Sequence, residues 1–440
     1  MTLRITNKGE IQMKKFFDFM DRYFVPYAAK VGSQRHLVAI RDGFVTISPL
    51  IMAGAFATLL NNIGFEWYQN MMNTIFPANW KDFGGGIYAG SLAIMSVLAA
   101  CTIAYHLAKG YGKDGLAAAM LSLGCNMLLF TPNADGSIPA TFLGGSGLFV
   151  AIIVALVGTE IFVKLAGNPK LIVKMPEGVP PAVAKSFAAL IPTIIVISIV
   201  ALVKYLFAYA GISNIHEALF TIIQSPLQNM VGSVWGLVIL IIVQQLLWFF
   251  GLHGSNILAP IISAVLLPLT EANMAAAQVG GVPEHIINSQ FLDSFVNMGG
   301  SGTTIALIVA IYIGGRKSKT QMMIAKLGTA PGLFNINEPV IFGMPLVLNP
   351  IYFIPFMLAP LASGLIAYVA TLVGIVPPVT ILASWTTPPI LGAILSTNSI
   401  MGGVVAVVCI IVSVLIYLPF VGIATKTELD LEKANNETVA

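Results

Sequence analysis

The sequence predicts an all-α polytopic membrane protein, with about ten transmembrane helices and two re-entrant hairpins. Three observations carry that reading. Hydrophobic residues make up 57% of the 440 residues and charged ones only 9%, far below the quarter or so expected of a soluble domain. Ten apolar runs approach the roughly 20 residues needed to cross a bilayer. The lysines and arginines collect on alternate loops, as the positive-inside rule requires. Such a composition excludes a sizeable soluble domain. The net charge of +3 says nothing about nucleic acid, because the basic residues have a topological explanation.

Residues 1–36 form a charged N-terminal segment, in which 13–27, rich in Phe and Lys, reads as an amphipathic helix on the inner membrane surface. It is too charged for a signal peptide. The predicted spans are 37–63, 87–107, 115–130, 142–165 and 186–209, then 231–250, 255–269, 294–314, 351–376 and 401–423. The third and seventh are shorter than ideal. With a cytoplasmic N-terminus, ten crossings place Lys109 with Lys113, Lys164 to Lys185, Arg316 to Lys326, and Lys426 with Lys433 on the inner side. Lys81 alone lies in an outward loop, and Lys204 would snorkel near the outer end of the fifth helix. Both termini are then cytoplasmic.

Two further apolar stretches, 328–348 and 377–399, are broken by Gly, Pro and Asn. Parity makes each begin and end on one side, so each should be a re-entrant hairpin. The broken stretches fall in the second half of the chain, with His253, Glu338 and Trp385. Four regions follow: the N-terminal segment, a membrane half at 37–210 serving as scaffold and dimerisation surface, a transport core at 211–425, and a charged tail at 426–440. Gly-Gly-Ser-Gly occurs at both 144–147 and 299–302, explained by duplication or equally by close helix packing.

Glu338 is the chief candidate. It stands in Phe334-Asn335-Ile336-Asn337-Glu338-Pro339, between asparagine and proline, with no Lys or Arg nearer than Lys326. A carboxylate at membrane depth must be paired, hydrated or used, and irregular backbone survives there only inside protein or beside a watery cavity. The blander reading is a carboxylate satisfied by backbone amides. Desolvation without a cation should raise its pKa, suiting it to accept a hydroxyl proton.

His253 lies between glycines in Trp248-Phe249-Phe250-Gly251-Leu252-His253-Gly254-Ser255-Asn256. A lone histidine is usually a core residue, but glycines and polar neighbours favour a pocket. Metal-ligand company is missing, so neither metal nor cofactor is expected. Trp385, among Ser384, Thr386 and Thr387, reads either as an interfacial belt residue or as a stacking face for a sugar ring. Asn398, with Ser396, Thr397 and Ser399, would add hydrogen-bonding capacity. Glu160 and Lys164 look like a local i,i+4 pair and His106 like an interfacial residue, while Arg41 and Asp42 read as an anchor for the first span in preference to a lining of the transport route. Cys101, Cys125 and Cys409 read as packing residues.

Together these residues resemble the membrane-spanning IIC subunit of the bacterial phosphoenolpyruvate-dependent sugar phosphotransferase system, in its lactose/cellobiose/diacetylchitobiose family. The resemblance runs from His36-Leu37-Val38-Ala39-Ile40-Arg41-Asp42-Gly43-Phe44 to Tyr417-Leu418-Pro419-Phe420. Its specific marks are the His253 and Glu338 motifs just quoted, the latter continuing through Val340-Ile341-Phe342-Gly343-Met344-Pro345. The resemblance implies a homodimeric permease of the bacterial cell membrane, binding a β-linked disaccharide of cellobiose or diacetylchitobiose type. The sugar's 6-hydroxyl would lie near His253 and Glu338, the latter acting as general base. Trp385 would be a stacking surface, and Asn335 or Asn337 ligands to ring hydroxyls, with Trp248, Asn256 and Asn398 completing the pocket. Separate cytoplasmic IIB, carrying phosphocysteine, and IIA would supply the phosphoryl group, since 425–440 carries no reactive cysteine. The subunit would have no standalone catalytic activity. An ion-coupled secondary sugar transporter fits the broken helices too, and an intramembrane serine protease (a serine hydrolase) using Ser301 of Gly299-Gly300-Ser301-Gly302 is a remote third reading.

Overall fold

The computed structural model describes residues 20–63, 66–173, 175–176, 178–344 and 346–439. Helices are the regular elements among them. In chain order the principal ones are α1 (Arg35–Asn62), α2 (Met95–Gly110), α3 (Gly115–Leu129), α4 (Leu148–Ala166), α5 (Pro181–Tyr209) and α6 (Val234–Phe249). Then come α7 (Gly254–Gln278), α8 (Thr304–Gly314), α9 (Lys319–Leu333), α10 (Glu338–Gly343), α11 (Pro350–Leu372), α12 (Pro389–Thr397) and α13 (Ile400–Val439). Each of the ten predicted runs carries one of these helices. Seven helices among the described residues are long and apolar enough to span a bilayer. The apolar pair Ile215–Val231 and Val234–Phe249 is bent by 71°, as in a broken span or a re-entrant loop. α3 and α8 are shorter apolar helices. The amphipathic segment expected at 13–27 lies outside the described residues as far as 19; from Met20 onward the chain is helical.

Two runs differ from expectation for identifiable reasons. The seventh, expected to end at 269, continues to Gln278 because Thr270, Glu271 and Asn273 are buried in the helix and dilute its apolar pattern. A π-helical segment, Ile262–Leu266, lies between Pro260 and Pro268, where the missing proline N–H groups disturb the regular ladder. The eighth, expected from 294, does not become α-helical until Thr304. Residues 299–303 instead contain four left-handed conformations, at Gly299, Gly300, Gly302 and Thr303.

α2 packs against α1, α3 and α4; its Met95, Ile103 and Leu107, and Leu92 in the turn before it, are fully buried. One cluster joins these helices and takes in Met274 from α7. Two further clusters lie between α6, α7, α8, α9, α11 and α13. Small residues set the closest approaches, as lipid-embedded helices require: a methyl on Gly43 of α1 would stand 2.7 Å from Ile103 Cγ1 of α2.

Polar groups inside this frame find partners. Lys204 donates to the Leu128 and Phe130 carbonyls at 2.7 and 2.8 Å, satisfying the exposed C-terminal end of α3. His106 Nε2 meets Thr46 Oγ1 at 2.7 Å between α1 and α2. Glu160 does not pair with Lys164. Its carboxylate lies 3.0 Å from His36 Nε2 and accepts from Tyr111, because its helix face turns toward the ends of α1 and α2.

Candidate functional site

α9 stops at Leu333 and α10 begins at Glu338. Between them Asn335 is left-handed, with φ of 62°, a conformation asparagine tolerates better than most residues. The break falls where the Asn-Ile-Asn-Glu-Pro sequence predicts it. Glu338 is the first residue of α10, where a carboxylate is favoured by the helix dipole and Pro339 needs no hydrogen-bonding N–H.

His253 caps the start of α7. Its Nδ1 accepts from the Asn256 N–H at 3.3 Å, which leaves the proton of a neutral ring on Nε2. Nε2 faces Glu338 Oε1 at 3.7 Å, too far for a direct hydrogen bond. Trp248, itself buried, holds the imidazole from behind with ring centroids 4.2 Å apart. The side chains of His253 and Glu338 are 41% and 46% exposed. The desolvation expected of Glu338 is therefore not met: its carboxylate opens into a cavity.

That cavity, of about 400 Å³, is lined by Trp248, His253, Asn256, Asn335, Asn337, Glu338 and Trp385 among others. Seven of the eight residues singled out in the sequence thus converge. Their roles divide. Trp385 is 52% exposed and presents its ring. The two asparagines are largely committed to backbone. Asn335 accepts from the Gly299 N–H at 2.7 Å and donates to the Trp385 and Thr387 carbonyls at 2.5 and 3.0 Å, tying three loops together. Asn337, buried, donates to the Ser301 carbonyl at 2.8 Å.

Asn398 is not among the cavity residues. It ends α12 in a left-handed conformation and donates to the Asn62 carbonyl at 3.0 Å. The hydroxyls around it are likewise turned inward, Ser396 to Ser294 and Thr397 to the Ala393 carbonyl.

The sequence reading missed half of the lining. Gln244 donates to Asn297 Oδ1 and Ser301 Oγ, both at 2.9 Å, and Ser301 meets Ser255 at 3.0 Å. Ser301 is thus bonded to an amide and a hydroxyl, neither of them a general base, which removes the hydrolase reading. Asp293, hydrogen-bonded by the Asn297 side chain, also faces the cavity. Its signal was available: an acid in an apolar run, the same signal that marked Glu338.

Asp293, Ile262 and Trp385 also line a second chamber of about 650 Å³. Its far wall is α1, through Ser48, Met52 and Phe56. The 377–399 stretch forms the near wall. Its extended limb doubles back along α12, with the Thr380 and Ile381 N–H groups both bonded to the Ser396 carbonyl, and Ala383 N–H bonded to Gln290.

Apolar helices enclosing hydroxyls, amides, an imidazole and carboxylates around two connected chambers define a membrane carrier for a polar solute. The chain belongs to the EIIC family of the phosphotransferase system, whose family model matches residues 41–360. It is 36% identical to the lichenan permease IIC component of Bacillus subtilis (strain 168), covering 96% of each chain. It is 34% identical to the cellobiose-specific EIIC component of Geobacillus stearothermophilus, covering 96% of this chain and 97% of that one. The crystal structure of ChbC, the IIC component from the N,N'-diacetylchitobiose-specific phosphotransferase system, superposes with a TM-score of 0.90 at 37% identity, covering 94% of this chain and 99% of that one. This chain is accordingly a multi-pass sugar permease component, working in a bacterial membrane with IIA and IIB proteins.

Proposed function

We propose that the chain binds a β-linked disaccharide of cellobiose or diacetylchitobiose type, carries it inward, and presents its 6-hydroxyl for phosphorylation by a separate phospho-IIB protein. The observation that carries the reading is the 3.7 Å gap between His253 Nε2 and Glu338 Oε1. A hydroxyl oxygen resting against both would stand at about 2.8 Å from each, accepting from the imidazole N–H and donating to the carboxylate. The substrates named for the lichenan, cellobiose and diacetylchitobiose relatives support the β-linked class.

The chemistry balances without any group on this chain being phosphorylated. The sugar 6-oxygen attacks the phosphorus of phosphocysteine on IIB, the O–P bond forms and the S–P bond breaks. The thiolate leaves with the electron pair, and Glu338 takes the hydroxyl proton. One sugar ring sits over Glu338 with its apolar face on Trp385. The other extends past Asp293 toward the second chamber. The product carries close to two negative charges, which disfavours its return to a site lined by the acidic groups Glu338 and Asp293. The half at 37–210 serves as scaffold and dimerisation surface, the half at 211–425 moves against it, and both termini are cytoplasmic.

Vesicles containing the purified protein, with its IIA and IIB partners, the soluble phosphoryl carriers that charge IIA, and phosphoenolpyruvate inside, test this against an ion-coupled mechanism. Uptake of cellobiose or diacetylchitobiose is expected to survive a protonophore and to stop without phosphoenolpyruvate. Uptake that collapses with the proton gradient and ignores phosphoenolpyruvate overturns the proposal.

A further inference from the structure

Far from the sugar chambers, a separate cavity of about 400 Å³ lies where α2, α3, α4 and α5 meet at the lysine-rich end of the first half. Lys109 from the last turn of α2, Lys113 from the link to α3, and Lys185 from the start of α5 line it. Its floor is apolar, made by Phe162 and Ala166 of α4 and Ala188 and Ala189 of α5. None of the three lysines makes a salt bridge among the described residues.

Among the described residues lining it one carboxylate is present, that of Asp114, and it caps α3 by accepting from the Leu116 and Ala117 N–H groups at 2.9 and 3.1 Å. Three ammonium groups against one engaged carboxylate leave its described lining at a net +2. The other nearby acid, Glu160, is taken by His36 and Tyr111. Lys113 Nζ also sits 3.8 Å from where a side chain on Gly167 would begin, over the C-terminal end of α4, where a cation is favoured.

We propose that this cavity binds the phosphate headgroup of an anionic phospholipid in the inner leaflet. The ligand must be negative to meet the lysines and must carry apolar matter to meet the floor. α5 supplies the reason it is a lipid. Only 11% of its most apolar window is buried, against 39–56% for the other long spans, and Phe187 and Leu190, beside Lys185, are exposed. The helix that forms one wall thus presents an apolar face, open to acyl chains wherever a second copy of the chain does not cover it. Basic pockets between helices at the inner surface are the usual receptors for such headgroups, and the positive-inside distribution places this end of the scaffold there.

The test uses the full-length protein purified in a mild detergent, with lipid binding followed by native mass spectrometry and thermal stability. Phosphatidylglycerol is expected to bind saturably and raise the melting temperature. Phosphatidylcholine of the same chains and inorganic phosphate are expected to do neither. Lys109→Gln, Lys113→Gln and Lys185→Gln combined should weaken phosphatidylglycerol binding at least about tenfold with sugar binding kept. Lys326→Gln, on the other half, should change nothing. If the triple glutamine variant fails to fold, the triple arginine variant must still prefer phosphatidylglycerol. Equal binding of phosphatidylcholine, equal stabilisation by free phosphate, an unchanged affinity in the triple glutamine variant, or lost preference in the arginine variant would each overturn the assignment.

Discussion

Gly-Gly-Ser-Gly occurs at 144–147 and again at 299–302, and the two copies do different things with the same four residues. In the first, Gly144 has a φ of −90°, Gly145–Gly147 make one 3-10 turn, and the chain enters α4 directly. Its closeness serves packing: a methyl on Gly145 would stand 2.3 Å from Glu271 Oε2. In the second copy all three glycines are left-handed, at 77°, 99° and 84°, and the helix is delayed to Thr304. The partners explain the difference. Asn335 takes the Gly299 N–H and Asn337 gives to the Ser301 carbonyl, so backbone groups a helix would have used are held by the α9–α10 break. Glycine permits both forms; its neighbours choose.

Matching glycines offer the sharpest contrast. Gly299→Ala would strain a φ of 77° and drive a methyl to 2.2 Å from the Ile305 backbone nitrogen, at a cost of about 3 kcal/mol or more. Gly144→Ala, whose methyl would meet nothing nearer than 3.5 Å, should cost within about 1 kcal/mol. Thermal unfolding of the two variants checks both. Similar losses would mean that the copies are not distinct.

The second copy is joined through Asn335 to the loop bearing Trp385, so its consequences reach the sugar. Trp385→Ala should weaken disaccharide binding by roughly 1–3 kcal/mol, by analogy with the loss of a base-stacking aromatic. Calorimetry that finds an unchanged Kd would return Trp385 to the role of a belt residue.

The smallest effect separates the two serines. Ser301 is bonded to Gln244 and Ser255 in the cavity wall, so Ser301→Ala should cost about 1 kcal/mol in sugar affinity. Ser146→Ala should leave affinity unchanged. An equal response from both positions would detach Ser301 from the site.

The helices were legible because apolar length and basic residues obey strong physical limits, and the break before Glu338 because Asn-Ile-Asn-Glu-Pro cannot continue a helix cheaply. His253, Glu338 and Trp385 were legible as polar or amphipathic groups out of place. Burial at Glu338 was not, because exposure to an internal cavity depends on elements distant in sequence. The same reason explains Asn335 and Asn337, whose amides were expected on the sugar and are spent largely on loops. Asn398 shows the limit most plainly: being near the right motif along the chain did not bring its side chain to the cavity. Gln244 carries no signal of its own in a single sequence, since isolated polar residues in membrane helices serve packing as often as ligands.

The proposed phosphorylation requires Glu338 to meet a sugar hydroxyl in the cavity beside His253. Glu338→Gln, assayed in membranes with IIA, IIB, the soluble phosphoryl carriers that charge IIA, and phosphoenolpyruvate, tests it most directly when disaccharide binding and sugar phosphorylation are measured on the same preparation. Binding should stay within about tenfold, or 1.4 kcal/mol, while phosphorylation nearly stops. Phosphorylation at the unmodified rate, with binding intact, would contradict the role assigned to the carboxylate.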